Sequence, residues 1–372
     1  MLYDKNKIHL GRQLFEGGQK MKGLKNTKVL RISIFFLICV GVCAGFSLLY
    51  NFVGGSSVSA STSSSGKTAS ENSKLQPAAL KELPKVYMTT DISPTGLDVV
   101  YKALGRKLPG KVAVKISTGE PGGHYFLSPN LIKDLVKSVN GTIVECNTAY
   151  GGQRASTAMH KQVAKDHGFT AIAPVDIMDE EGSMSLPFPN GKNIKEDFVG
   201  SHFAKYDSVL VLSHFKGHTM GGFGGAIKNI SIGIASSNGK NWIHTAGTSK
   251  TDFFIAFSTP QNAFLESMAE AAGAVMNKMG NNILYISVMN NLSVDCDCDS
   301  HPAPPEMKDI GILASLDPVA LDKACVDLVY SADLKESKSL RERMESRNGL
   351  HTLDHAEALG LGSQKYTLVK IN

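Results

Sequence analysis

From residue 84 to the C-terminus, short runs rich in β-branched residues alternate with stretches of helical composition, and this alternation restricts the fold of the 372-residue chain more than any other feature. It is the signature of βαβ units, in which a helix carries the chain back so that the next strand runs parallel to the last. The expected fold is therefore α/β, a mostly parallel twisted sheet with helices on both faces. Strands are predicted at Val86–Thr89, Lys111–Ile116, Thr142–Asn147, Ala171–Val175, Ser208–His214, Ile283–Val288, Ile310–Ser315 and Tyr366–Lys370. Ser93-Pro94, Ser128-Pro129 and Asp317-Pro318 each place a capping side chain before a proline at the first helical position, so helices start there. Pro260 to Met279 reads as a further helix with Ala and Met on its inner face. No repeat of fixed period is visible, which excludes a solenoid.

Upstream the alternation disappears. Ile32 to Val53 is a run of 22 residues without a charge, long enough at about 1.5 Å per residue to cross a hydrocarbon core of roughly 30 Å. Residues 54–83 are rich in Ser, Gly, Thr, Ala and Asn and cannot bury enough apolar surface to fold, so they form a linker. The expected organisation is a basic flank over 1–31, a transmembrane or signal segment over 32–53, the linker over 54–83 and the α/β domain over 84–372. The run exceeds the usual length of a signal-peptide core, which favours a retained anchor. Val58-Ser59-Ala60 nevertheless fits a cleavage site, and Met21 fits an alternative start, so a secreted form released near Ala60 stays open.

The net charge of +5 changes meaning once it is located. Up to Arg31 the chain has eight basic and two acidic residues, whereas the remaining 341 residues carry 31 basic and 32 acidic ones. Nucleic-acid binding needs a basic face on the folded domain, and this domain is neutral. The basic flank instead orients the membrane segment with residues 1–31 in the cytoplasm and the domain outside it, so the expected location is the cell membrane, single-pass, with a membrane partner and no nucleic acid.

In a sheet of this kind ligands bind beyond the carboxyl ends of the strands, which directs attention to the loops there. The strand ending at His214 leads into Phe215-Lys216-Gly-His218 and then Gly221, Gly222, Gly224 and Gly225 before Lys228-Asn229. Such glycines can turn backbone N–H groups inward as an anion nest, with Lys216 and Lys228 adding charge for a carboxylate or phosphate. The spacing matches neither a P-loop nor a dinucleotide fingerprint, and a plain glycine loop with solvated lysines is the competing reading. Glu145, at the end of another strand, is a further candidate for the ligand face. After Val288 comes Asp295-Cys296-Asp297-Cys298-Asp299-Ser300-His301. Two thiols two residues apart can chelate one metal ion with His301 as a third ligand, iron or zinc by donor type, whereas a disulfide across so small a ring would be strained. Free thiols are the alternative.

Ser213-His-Phe-Lys216-Gly-His218, then Gly224-Gly-Ala-Ile-Lys228-Asn229, then Cys296-Asp-Cys298, then Asp317-Pro-Val-Ala-Leu-Asp322, in this order, resemble the family known as domain of unknown function 362, as does the closing Ala358-Leu-Gly-Leu-Gly-Ser. The resemblance spans residues 84–372. It implies an iron–sulfur-related family in which many members carry a ferredoxin-like insert with cysteine runs holding 4Fe–4S clusters. This chain has no such run, so cluster binding is not carried over. The expectation is an extracytoplasmic, tethered protein that binds a metal through Cys296, Cys298 and His301 or His218. It would act on a small anionic ligand in a redox or metal-assisted reaction, with Lys216 stabilising charge and His218 as acid or base. A binding module without catalysis is the alternative.

Overall fold

A computed structural model describes residues 82–371. The basic flank, the apolar run and all but the last two residues of the linker lie outside the described residues. Among the described residues no helix is long and apolar enough to cross a membrane.

In chain order the structure runs β1 (Lys85–Thr89), α1 (Pro94–Ala103), β2 (Val112–Lys115), α2 (Pro129–Ser138), β3 (Thr142–Glu145), α3 (Thr157–Asp166), β4 (Val175–Ile177), β5 (Ser183–Pro187) and β6 (Glu196–Gly200). It continues through β7 (Ser208–His214), β8 (Lys216–His218), β9 (Gly222–Gly224), α4 (Ala226–Ile230), α5 (Ser237–His244), α6 (Gln261–Met279) and β10 (Ile283–Met289). β11 (Gly311–Ser315), α7 (Pro318–Ser331), α8 (Leu334–Ser346), α9 (His351–Ala358) and β12 (Thr367–Lys370) complete it. The caps act as the sequence requires: Ser93 accepts from the Gly96 amide at 3.2 Å, Ser128 from Asn130 at 3.3 Å and Asp317 from Ala320 at 2.9 Å. One strand is displaced from its expected place. Gly168 takes a left-handed conformation at the end of α3, and Phe169–Ala171 then form a 3-10 turn around the buried Phe169 ring. The strand predicted at Ala171–Val175 therefore starts only at Val175.

Eight strands form one sheet in the order β12-β1-β11-β10-β7-β2-β3-β4. All run parallel except β11, which lies antiparallel between β1 and β10. The pleat divides the core. On one face Leu210, Leu212, Leu284 and Ile286 pack with Leu97, Val100, Ile132 and Val136 from α1 and α2. On the other, Val209, Val211, Ile283 and Tyr285 pack with residues of α4, α6 and α7.

The order of the strands determines where a ligand can sit. From β2 the chain steps outward to β3 and β4, and from β7 it steps the opposite way to β10 and β11. β2 and β7 are neighbours, so their following loops depart in opposite directions and leave a crevice at the carboxyl ends of the two strands, the topological switch point.

Candidate functional site

A cavity occupies this crevice. Its wall is formed by the ends of β2, β3 and β7, by residues 146–154, by the β8–β9 hairpin, by α4 and α5, and by the loop carrying Cys296 and Cys298. Five cationic side chains line it: Lys115, Arg154, Lys216, Lys228 and Lys240.

On the β2–β3 side these charges are neutralised in pairs. Lys115 ends β2 and is fully buried, with its ammonium donating to Glu145 Oε2 at 2.8 Å and to Asn229 Oδ1 at 3.1 Å. Glu145, at the end of the adjacent β3, also accepts from the Thr118 amide at 2.8 Å and has Arg154 Nη1 at 3.7 Å. Arg154 in turn donates to Glu120 Oε2 at 2.8 Å. Burial alone would raise the Glu145 carboxyl, but Lys115, His160 and Arg154 together bring it down to about 2. It is an anion that holds the wall together. Asn229 joins the same network, its amide donating to Ser213 Oγ at 3.1 Å and to the Leu212 carbonyl at 3.2 Å, which ties α4 to the end of β7.

The β7–β8 side is built around Asp297. His214 Nδ1 donates to its Oδ1 at 2.8 Å and Lys216 Nζ to its Oδ2 at 2.8 Å, while His214 Nε2 donates to the Asn290 carbonyl at 2.6 Å. The Asp297 carbonyl also accepts from the Glu120 amide at 2.8 Å, joining the two sides. Despite burial, which works the other way, the Lys216 and His214 partners hold the Asp297 carboxyl far below the ordinary carboxylate range. The interleaved aspartates therefore do different work: Asp297 fastens the cysteine loop to the sheet, and Asp295 accepts from Arg343 of α8 at 3.1 Å.

That fastening brings Cys296 and Cys298 against His218. Donor atoms of these three residues lie within 4.8 Å of one another, and among the described residues they are the one group able to hold a metal ion. Cys296 is buried and Cys298 partly exposed. The two thiols are not equivalent. Cys296 Sγ accepts from the Cys298 amide at 3.2 Å, and the Cys298 thiol, the Lys228 ammonium and His218 all favour its charged form, so its pKa falls well below that of an ordinary thiol. The side-chain hydrogen bond with Cys296, together with burial, pushes the Cys298 thiol up instead. His218 Nδ1 accepts the Gly221 amide at 2.8 Å and the Met220 amide at 3.2 Å, which leaves the ring proton on Nε2. Burial, with Lys228 adding to it, lowers the His218 pKa to about 4, so the ring is neutral at pH 7.

Several expectations need correction. His301 does not join the cysteines: it is exposed, with Nδ1 2.9 Å from Ser300 Oγ, and His218 takes the third place. Of the glycines expected to form an anion nest, Gly221 lies in the turn of the β8–β9 hairpin and Gly222 opens β9 opposite His218, so only Gly224 and Gly225 reach the cavity. Two of the loop glycines are there for close approach: a Cβ on Gly217 would stand 2.2 Å from the Val294 carbonyl oxygen, and one on Gly225 would stand 2.3 Å from Asp322 Oδ1, which caps α4 by accepting the Ala226 amide at 2.7 Å. Lys216 is not a free charge, because Asp297 neutralises it. Lys228 is the lining cation with no hydrogen-bond or ion-pair partner among the described residues, and it sits beside the cysteines. Sequence reasoning missed Lys115 and Lys240. A lysine closing the apolar run Val112-Ala-Val-Lys115 is a signal that could have found the first; Lys240, in the polar helix α5, gives none.

The family profile described as domain of unknown function, DUF362, matches residues 112–327, more than half of the chain, and the chain belongs to this family. Among solved structures it is similar to the lactate racemase apoprotein from Thermoanaerobacterium thermosaccharolyticum, at 15% identity over 67% of this chain and 57% of that one, with a TM-score of 0.38. A structural-genomics protein from Thermotoga maritima is similar at 13% identity over 63% of this chain and 57% of its own, with a TM-score of 0.39. The chain thus spans little more than half the length of these solved proteins, and at such scores no activity passes from them to it. No curated protein sequence matches the chain at a significant level.

Proposed function

For this member of the DUF362 family, we propose a metal-binding protein, tethered outside the cytoplasm, that acts on a small anionic ligand. The observation that carries the reading is the convergence of Cys296, Cys298 and His218 on the wall of a cationic cavity at the switch point. Two thiolates and an imidazole are soft donors that suit zinc or iron. A bound ion of this kind supplies Lewis acidity or, if iron, one-electron chemistry. The chain's own residues do the rest. Lys228 binds the ligand's carboxylate or phosphate, while Lys216 and Asp297 hold the cysteine loop in register with β8. Lys115, Glu145 and Arg154 keep the opposite wall fixed and dry.

The His218 tautomer favours a second reading. A histidine that ligates through one nitrogen normally donates from the other, yet here Nδ1 accepts two backbone amides. Without metal, the Cys296 thiolate would be a nucleophile and His218 Nε2–H its hydrogen-bond donor. Metal analysis of the full chain purified without chelator separates the two. About one zinc or iron per chain, lost in the Cys296→Ser/Cys298→Ser variant, supports the metal centre. No metal, with rapid alkylation of Cys296 alone at neutral pH, supports the nucleophile and sinks the metal reading.

A further inference from the structure

Phe253 lines the cavity next to Tyr150 and His244, at ring-centroid distances of 6.2 and 5.1 Å. It also begins a short 3-10 turn, Phe253–Phe257, whose other two phenyl rings point out of the protein: Phe254 is 82% exposed and Phe257 75%. The three rings form one patch, with Phe257 6.1 Å from Phe253 and 6.4 Å from Phe254. The Asp252 carboxylate holds the turn in shape by accepting the Phe254 amide at 2.9 Å. From Phe253 to Leu265 no residue is charged, and the neighbouring Lys250 lies over the Phe198 ring at 3.7 Å and over Trp242 at 5.1 Å. Exposed phenyls on a fixed turn, beside an aromatic pair carrying a lysine, have the composition of an interfacial membrane contact. Water is a poor environment for such a patch, and among the described residues nothing covers it.

We propose that Phe254 and Phe257 dock on the lipid bilayer, so that the face bearing the cavity's aromatic wall rests against the membrane surface. The inference rests on the anchored reading of residues 32–53 and is independent of whether Cys296 and Cys298 hold a metal. The preceding chain supports this occupant. Thirty residues of chain, the number from 54 to 83, can reach at most about 100 Å when fully extended, and a domain of this length, with a radius of gyration of about 19 Å, is about 50 Å across. Any face of the domain can therefore reach the bilayer, and the tether keeps it at a high effective concentration there. Two phenyl rings that would not hold a free protein on a membrane suffice to orient one already attached. The consequence for the site is that its ligand would be drawn from the lipid surface.

The sole tryptophan of the chain makes the test direct. Full-length chain carrying Trp242→Phe and Phe257→Trp is reconstituted into phosphatidylcholine vesicles with and without brominated acyl chains, with Phe254→Trp in the same background as a second reporter. Brominated lipid should quench the introduced indole at least twofold. A control with Leu334→Trp, at a 63% exposed position on α8, should be unaffected. A chain that floats with the vesicles but shows no quenching at either position overturns the docking. Access of aqueous iodide then tells a solvent-facing patch from one covered by a second copy or by the chain's first 81 residues. A chain that does not float with vesicles at all overturns both the docking and the anchor, and leaves the metal reading untouched.

Discussion

The two sides of the cavity are made from the same kinds of side chain and are used differently. On the β2–β3 side, Lys115, Glu145, Arg154 and Glu120 form a closed chain of buried pairs in which each charge has an opposite charge within 3.7 Å. On the other side the charges stop pairing once Asp297 has taken Lys216 and His214, and what lies beyond, Cys296, Cys298, His218 and Lys228, is left with unused capacity. Buried charges with complete partners hold a shape and are costly to break. Groups with an unfilled valence or an unpaired charge are available for chemistry. Proximity to the cavity alone would not tell the two apart.

Substitutions should separate them in order of size. The largest effect is expected from Glu145→Gln, which leaves Lys115 and Arg154 without their shared anion. Thermal unfolding should show a loss of about 3–5 kcal/mol, or on the order of 5–10 °C in Tm. Asp297→Asn should be nearly as costly and should also reduce metal content, because the cysteine loop loses its hold on β7 and β8. On the open side, Cys296→Ser should abolish metal binding yet, compared with the native chain stripped of metal, change stability by no more than about 1 kcal/mol; a loss in that comparison as large as that of Glu145→Gln would mean that the thiols are structural. Lys228→Ala should leave Tm unchanged and weaken binding of inorganic phosphate or a small carboxylate about 10- to 100-fold, the size of one charge-assisted hydrogen bond, as read by calorimetry.

The smallest effects lie in the pH dependence of stability, and their signs differ. Glu145, and Glu266 with its Asn193, Lys192 and His351 partners, have folded pKa values lowered to about 2 against burial, so the stability they contribute is present above the ordinary value of 4.5 and is lost as pH falls from there towards 2. Asp197 is the reverse case. Burial raises it to about 7, and its Oδ2 has no hydrogen-bond partner, so it favours folding in its protonated form and this contribution is lost as pH rises from about 4 to 7. Asp197→Asn should flatten the decline of Tm over that interval; an unchanged slope would show that Asp197 ionises freely.

Much of the fold was legible because it is locally encoded. β7 matches its predicted limits, and the helices begin at the prolines that Ser93, Ser128 and Asp317 precede. The misplaced β4 shows the limit: a buried Phe169 turn after a left-handed Gly168 is a tertiary preference that β-branched composition does not reveal. At the site, the sequence pattern singled out the cysteines, which converge with His218, and Lys228, which lines the cavity. It put His301 first because it lies three residues from Cys298, with His218 as the alternative; His218, at the end of β8, is the one that meets the cysteines, through a contact set by Asp297. Lys216 is a similar case. Its residue type suggested a free cation, and only its pairing shows that it is a strut.

The antiparallel β11 has a consequence for how this protein can change. Because β10 and β11 are neighbours running in opposite directions, residues 290–310 leave the sheet and re-enter it at adjoining positions on the same end. A segment anchored in this way can be lengthened or exchanged with little effect on the strands below, since closing a longer loop costs only slowly more entropy. The cysteine loop is thus a replaceable cartridge seated in a fixed socket: β7, β8 and the Lys115–Glu145 wall set what can be held against it, while the cartridge decides which reactive atoms are presented.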